Sequence, residues 1–256
     1  MVDSTAIIHK NAHIDSDVDV GPYCIIEENV IVKKGTKIQG HVVIQSGTEI
    51  GEGCKISPFA SIGGPPQDLT YKGEDTRVLI GNNNIIKEYV TINRGTPHGK
   101  GITKVGDNNF IMAYAHIAHD CVVGSNVIMA NCATLAGHVE VDNYVIFGGL
   151  CAVHQFCRIG KYAFISGLTG IPKDVPPYII AAGPRAKPYG LNVVGLERHN
   201  FSKEEILILK KAYRLLFRSS LPLNTSLKII QEELEGKHIE ELVDFITNSK
   251  LSLIHI

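Results

Sequence analysis

The 256-residue chain has no tryptophan, only three methionines, and no C-x-x-C pair among its six cysteines. Without such a pair a zinc ribbon is not expected, and scattered thiols suit a reduced, cytoplasmic protein better than a disulfide frame. No apolar run reaches the length of a membrane-spanning helix, so no span is expected. The opening residues, MVDSTAIIHK, lack a basic stretch followed by an apolar one, so no secretory leader is expected. Nor is there an excess of one charge. Lys and Arg number 25 against 26 Asp and Glu, a net charge of −1, which argues against a nucleic-acid partner held by bulk charge. What remains is ordinary for a globular protein, 44% apolar and 20% charged, long enough for one large domain or one domain with an appendage.

What is present is a rhythm of six. Ten apolar residues follow one another at that spacing from Ile8 to Ile62. The phase returns at Ile80, Ile86 and Ile92, then shifts by one residue and runs through twelve positions from Val105 to Ile171. Neither a helix nor a simple alternating strand gives this period. It predicts a short strand and a tight turn, repeated, with three such units closing one triangular coil of 18 residues. Eight such coils, at about 4.8 Å per stacked strand, make a prism roughly 40 Å long.

Alternation within each strand places a second inward position two residues before each repeat residue. Cys24, Cys54, Cys121, Cys151 and Cys157 all fall there, as do Ala60 and Ala115, and only Cys132 does not. Five of the six cysteines therefore read as small core residues rather than nucleophiles. Glycine often follows the repeat residue, as at Gly21, Gly51, Gly63, Gly81, Gly106, Gly124, Gly148 and Gly160, which suggests corners that need unusual backbone angles.

Residues 64–79 and 94–104 leave the rhythm and are expected to project from a corner of the prism. The first carries the polar set Gln67, Asp68, Tyr71 and Lys72. After Ile171 a Pro-rich exit leads into helical spacing. Ser202 and Glu205 form a capping-box signature, and two further helices are expected near 225–235 and 238–249. Residues 1–188 thus read as the prism and 189–256 as a small helical domain that packs on it or on a neighbouring subunit. Lys210, Arg214 and Arg218 share one helix face, with Lys211 beside them, either as a solvated face or as a landing site for an acidic partner.

His116, His119, His138 and His154 fall within 39 residues, and none takes an inward position. His119 to His138 spans 19 residues and His138 to His154 spans 16, each close to one coil, so the four are expected on one flank, lining a groove. Two chemistries fit. A histidine can act as a general base toward a hydroxyl, with Asp120 orienting its ring. Alternatively the histidines hold zinc, as in the gamma-class carbonic anhydrases, which the prism also resembles.

The hexapeptide pattern resembles the left-handed β-helix of hexapeptide acyltransferases, and the handedness is taken from that resemblance. The stretches AHIAHDCVVG, ATLAGHVEVD, AVHQFCRIG, DVPPY and PPQDL together resemble the acyl-carrier-protein–UDP-N-acetylglucosamine O-acyltransferases of lipid A synthesis, over nearly the whole chain. The resemblance implies that His119 is the general base on the sugar 3-hydroxyl, supported by Asp120, and that the Gly137 N–H stabilises the oxyanion. It implies that His116 and Asp68 hold the sugar while His138 and His154 line the groove. Gln155, Asn192 and Arg198 would meet the nucleotide or its diphosphate, with Gln67 reaching it from the loop. Gly167 matches the acyl-length ruler, and a glycine there suits a long 3-hydroxyacyl chain. A homotrimer with sites between prisms, acyl carrier protein as donor, and no cofactor or metal complete the implication. Three positions depart from the family pattern: Thr70 where lysine is usual, Val194 for glutamate and His199 for a second arginine. A relative that acylates a 3-amino sugar, the later lipid A N-acyltransferase, and a non-catalytic hexapeptide scaffold are the other readings.

Overall fold

The computed structural model describes residues 1–254, so the last two residues of the expected helical domain lie outside the described residues. Twenty-five short parallel strands run from β1 (Ile7–Ile8) to β25 (Gly170–Ile171). From β1 to β22 each pairs with the strand three later, so successive strands belong to three different sheets of nine, eight and ten strands, the last completed by two strands after Ile171. The pairing offset is 18 residues in the regular part, as in Ile26 opposite Ile44. The result is a left-handed parallel β-helix of triangular cross-section.

The repeat residues fill its interior. Every one from Val20 to Ile171 is buried, and the five cysteines in the second inward position are buried with them. Cys132 is only half-buried.

The corners differ from the glycine-based expectation. Among the eight glycines that follow a repeat residue, only Gly63 has a positive φ. The others are small because the next coil passes too close. A Cβ on Gly148 would lie 2.4 Å from the Gly167 nitrogen, and one on Gly160 would lie 2.4 Å from that of Pro177. The left-handed conformation sits three residues after the repeat residue instead. From Asn108 to Leu168 every sixth residue has φ near +60°. None of these is β-branched, as expected for a conformation that costs about 1–2 kcal/mol outside glycine. Their side chains stack along the edges. Tyr23, His41, Phe59, Tyr89 and Tyr114 form one ladder with ring centroids 4.8–5.1 Å apart.

The strands reach further into both insertions than composition suggested. Gly64 ends β10 (Ser61–Gly64), and β11 (Arg77–Ile80) pairs with β14 (Ile102–Val105), so residues 77–79 and 102–104 are sheet and not loop. Alternation explains it: Val78, Ile80, Thr103 and Val105 all turn inward. The projecting loops are therefore residues 65–76 and 94–101.

The boundary placed at 188/189 falls inside a strand. β26 (Ile179–Ala182) joins the prism and pairs antiparallel with β27 (Lys187–Leu191). A short helix not anticipated from spacing, α1 (Val193–Arg198), follows. Next come α2 (Lys203–Phe217), α3 (Leu223–Glu233) and α4 (Lys237–Thr247). Ser202 and Glu205 form the complete capping box at α2. The helices pack on the prism. The Tyr213 hydroxyl donates to the Pro188 carbonyl at 2.9 Å, and the Arg158 guanidinium lies 4.3 Å from the centre of the Phe245 ring. The chain then returns to the coil end, where Ile254 is buried with the prism core and its N–H donates to the Asp174 carbonyl. Among the described residues no helix is long and apolar enough to cross a membrane.

Phe147 is fully buried between Met129 and Ile165 in adjacent coils. Phe147→Ala is expected to destabilise the fold by about 3–5 kcal/mol, measured by chemical denaturation followed by circular dichroism. A cost under about 1 kcal/mol would show that the layers are not tightly packed.

Candidate active site

Local register assembles the site. His116 lies in β16 (His116–Ile117), between Thr91 of β13 (Thr91–Asn93) and Thr134 of β19 (Thr134–Leu135). Its Nδ1 is 2.7 Å from the Thr91 hydroxyl. The chain then turns the corner: Ile117 stays inside, His119 emerges, and Asp120 takes the left-handed seat at φ 59°. One coil later His138 has the same seat, and another coil on so does Phe156. His138 stacks on Phe156 with centroids 4.6 Å apart and meets the His119 ring edge-on at 5.1 Å.

Asp120 departs from expectation. The repeat phase points it outward, yet it is 0% exposed, because the 94–101 loop folds over it. The Thr96 N–H and hydroxyl donate to its Oδ2 at 2.9 and 2.6 Å, and the Lys100 N–H donates to Oδ1 at 2.9 Å. His119 Nδ1 is 3.0 Å from the same Oδ2. An ionised carboxylate only accepts, so Nδ1 carries a proton, and in the neutral ring the lone pair is on Nε2. That Nε2 has no hydrogen-bond partner among the described residues, nor has the Gly137 N–H. Gly137 is where it must be: a Cβ there would lie 2.5 Å from His119 Cε1.

Electrostatics follow the geometry. Burial acts to raise the Asp120 carboxyl, but the bonds from Thr96 and His119 outweigh it and hold the group below its ordinary value. Burial lowers His116, with the neighbouring His119 adding to the effect. Burial also lowers His138, against the opposing pull of Asp120. Asp68, from the 65–76 loop, is lowered chiefly by the Thr70 N–H, with the Thr70 hydroxyl and His119 contributing. Both Thr70 groups donate to Asp68 Oδ1 at 2.8 Å, so the threonine that departs from the family pattern fixes this carboxylate.

Ligand atoms of His119, Asp120 and His138 lie within 4.8 Å of one another, an arrangement with a metal site's outline. Both Asp120 oxygens already accept hydrogen bonds from the chain, and His119 turns Nδ1 toward that carboxylate. The set is thus left with histidine nitrogens alone, a poor match to a closed or catalytic zinc shell.

Other anticipated residues fall elsewhere. His154 is exposed, with its Nδ1 3.0 Å from the Gln155 carbonyl, and makes no contact with the other three histidines. Gln155, Gln67 and Arg198 are exposed. Asn192 already serves the fold: its side-chain oxygen accepts from the Gly195 N–H at the start of α1, its amide nitrogen donates to the Tyr162 carbonyl, and the residue is buried. His199 packs against the rings of Tyr144 and Tyr162. Val194 is exposed. Gly167 lies against the preceding coil, where a Cβ would come 3.2 Å from the Gly149 oxygen. Thr96, Lys100 and Phe156 were missed. Phe156 was detectable, since Asp120, His138 and Phe156 are spaced 18 apart.

A hexapeptide prism with a histidine–carboxylate pair at one corner defines a hexapeptide-repeat transferase, and the family model for bacterial transferase hexapeptides matches residues 102–137. The model for UDP N-acetylglucosamine O-acyltransferase, domain 2, matches residues 174–254. An acyl-[acyl-carrier-protein]–UDP-N-acetylglucosamine O-acyltransferase of Thermodesulfovibrio yellowstonii is 56% identical over 250 residues, 97% of each chain. One from Janthinobacterium sp. is 46% identical over 99% of each. The solved UDP-N-acetylglucosamine acyltransferase of Francisella novicida superposes with a TM-score of 0.97 at 42% identity, covering 100% of this chain and 94% of the other. That of Bacteroides fragilis gives 0.98 at 41%, covering 99% and 100%. The chain belongs to the acyl-[acyl-carrier-protein]–UDP-N-acetylglucosamine O-acyltransferase family.

Gly137→Ala is expected to displace the His119 ring and lower kcat by about 100-fold or more while the circular dichroism spectrum stays that of the parent. Near-normal turnover in that variant would show that the ring's position is not needed.

Proposed function

We propose that the protein transfers a 3-hydroxyacyl group from acyl carrier protein to the 3-hydroxyl of UDP-N-acetylglucosamine, the opening step of lipid A synthesis. The observation that carries the reading is the His119–Asp120 pair, with its Nε2 unoccupied and turned toward Gly137, where a Cβ would lie 2.6 Å away. His119 Nε2 takes the hydroxyl proton as the oxygen attacks the thioester carbonyl. The Gly137 N–H receives the developing oxyanion. The C–S bond then breaks, and the proton on His119 passes to the departing thiolate. Every atom is accounted for by donor and acceptor, so the chemistry calls for no cofactor.

His116 and Asp68 hold the sugar, each already oriented by a threonine. His138 supports the His119 ring edge-on. In this reading the exposed Arg198, Gln155, Gln67 and His154 meet the nucleotide and the groove, and Asn192, whose side chain caps α1, stands beside them. A long acyl chain passes Gly167. The exposed Lys210, Lys211 and Arg214 suit an acidic carrier protein. A homotrimer in the cytoplasm fits the exposed apolar corner residues, Leu150 and Leu168 among them, and the six free thiols.

His119→Ala is expected to abolish transfer, measured by mass spectrometry of the acylated sugar nucleotide, in a protein that remains folded and assembled. Activity retained in that variant would remove His119 as the base.

A further inference from the structure

The 94–101 loop closes around one carboxylate. Thr96 accounts for two of the three hydrogen bonds at Asp120 Oδ2, and the imidazole for the third. Thr96 itself is 2% exposed. Its carbonyl accepts from the N–H groups of Gly99 and Gly101, which curl the loop back. Gly99 leaves room for the carboxylate: a Cβ there would lie 2.5 Å from Asp120 Cγ. The loop is tied down at both ends. Arg94 Nε donates to the Gly63 carbonyl at 2.7 Å, and Lys100 Nζ pairs with Glu140 at 2.5 Å. From the prism side the Asp120 N–H donates to the buried Thr103 hydroxyl.

We propose that Thr96 is a positioning residue for acyl transfer: its hydroxyl and N–H hold the Asp120 carboxylate and share its charge, setting the angle at which His119 faces substrate and how firmly its proton is kept. The inference rests on reading His119 as the base. A carboxylate that gives part of its negative charge to a hydroxyl stabilises an adjacent imidazolium less. Removing the hydroxyl concentrates that charge on His119 and keeps the imidazole protonated to higher pH. The other groups that face the pair are His116 from its own strand, His138 from the next coil, Asp68 from the 65–76 loop, and Lys100 from the 94–101 loop.

The test is kcat, KM and the pH profile of kcat/KM for the full-length enzyme and its Thr96→Val and Thr96→Ser variants. Thr96→Val is expected to lose about 10- to 100-fold in kcat with KM for UDP-N-acetylglucosamine little changed, and to move the acid limb to higher pH. Thr96→Ser restores both. An unmoved limb and parental kcat in Thr96→Val would overturn the proposal, as would equal impairment of the valine and serine variants. If Thr96→Val does not fold, Thr96→Ala, which removes the hydroxyl without placing a methyl against the carboxylate, carries the same expectation. An inactive His119→Ala beside an unmoved limb in the Thr96 variant defeats the positioning role alone. An active His119→Ala defeats the underlying reading as well.

Discussion

Everything in this molecule depends on one backbone conformation recurring every six residues. Outside the two insertions, from Tyr23 to Leu168, the left-handed seat three positions after each repeat residue turns the strand direction at the corner and keeps coils in an 18-residue register. Only that register lets equivalent side chains stack from coil to coil, aliphatic inside and aromatic at the edge. The conformation is unfavourable for residues with a Cβ, at about 1–2 kcal/mol each, and is held by the buried layers on either side. Seven of the eight glycines after a repeat residue answer a separate need, close passage of the neighbouring coil.

The site uses this framework at one corner. Asp120 and His138 occupy left-handed seats one coil apart on the same edge, so their spacing is set by the coil pitch and not by a flexible loop. His119 sits between them, one residue before its seat, and is kept in place by the missing side chain of Gly137. The insertion covers the carboxylate and shields it from water, which strengthens each hydrogen bond it accepts. A rigid prism thus supplies distance, and a short loop supplies the local dielectric and the donors.

The prism was legible because six-residue periodicity over 25 positions has no competing explanation, and the inward cysteines followed from the same phase. His119 was legible as an outward histidine within a family motif. The burial of Asp120 was not, since it depends on Thr96, 24 residues earlier, brought in by a loop with no period to read. The same limit covers the structural task of Asn192, whose side chain caps α1 and donates to the Tyr162 carbonyl, a role that no motif carries. His154 is a different case: spacing near 18 suggests a ladder, but two residues before the corner seat its side chain is exposed, with Nδ1 at the Gln155 carbonyl. Thr70, a departure from pattern, has a visible task in holding Asp68.

The central claim is that substrate oxygen attacks the thioester directly while His119 holds the proton, with no acyl group resting on the protein. Intact-protein mass spectrometry during turnover tests it most directly. With acylated carrier protein alone the protein mass should stay unchanged, and on adding UDP-N-acetylglucosamine the ester should form at the sugar 3-oxygen. An acyl adduct on the protein that forms with donor and disappears on adding acceptor would contradict the account.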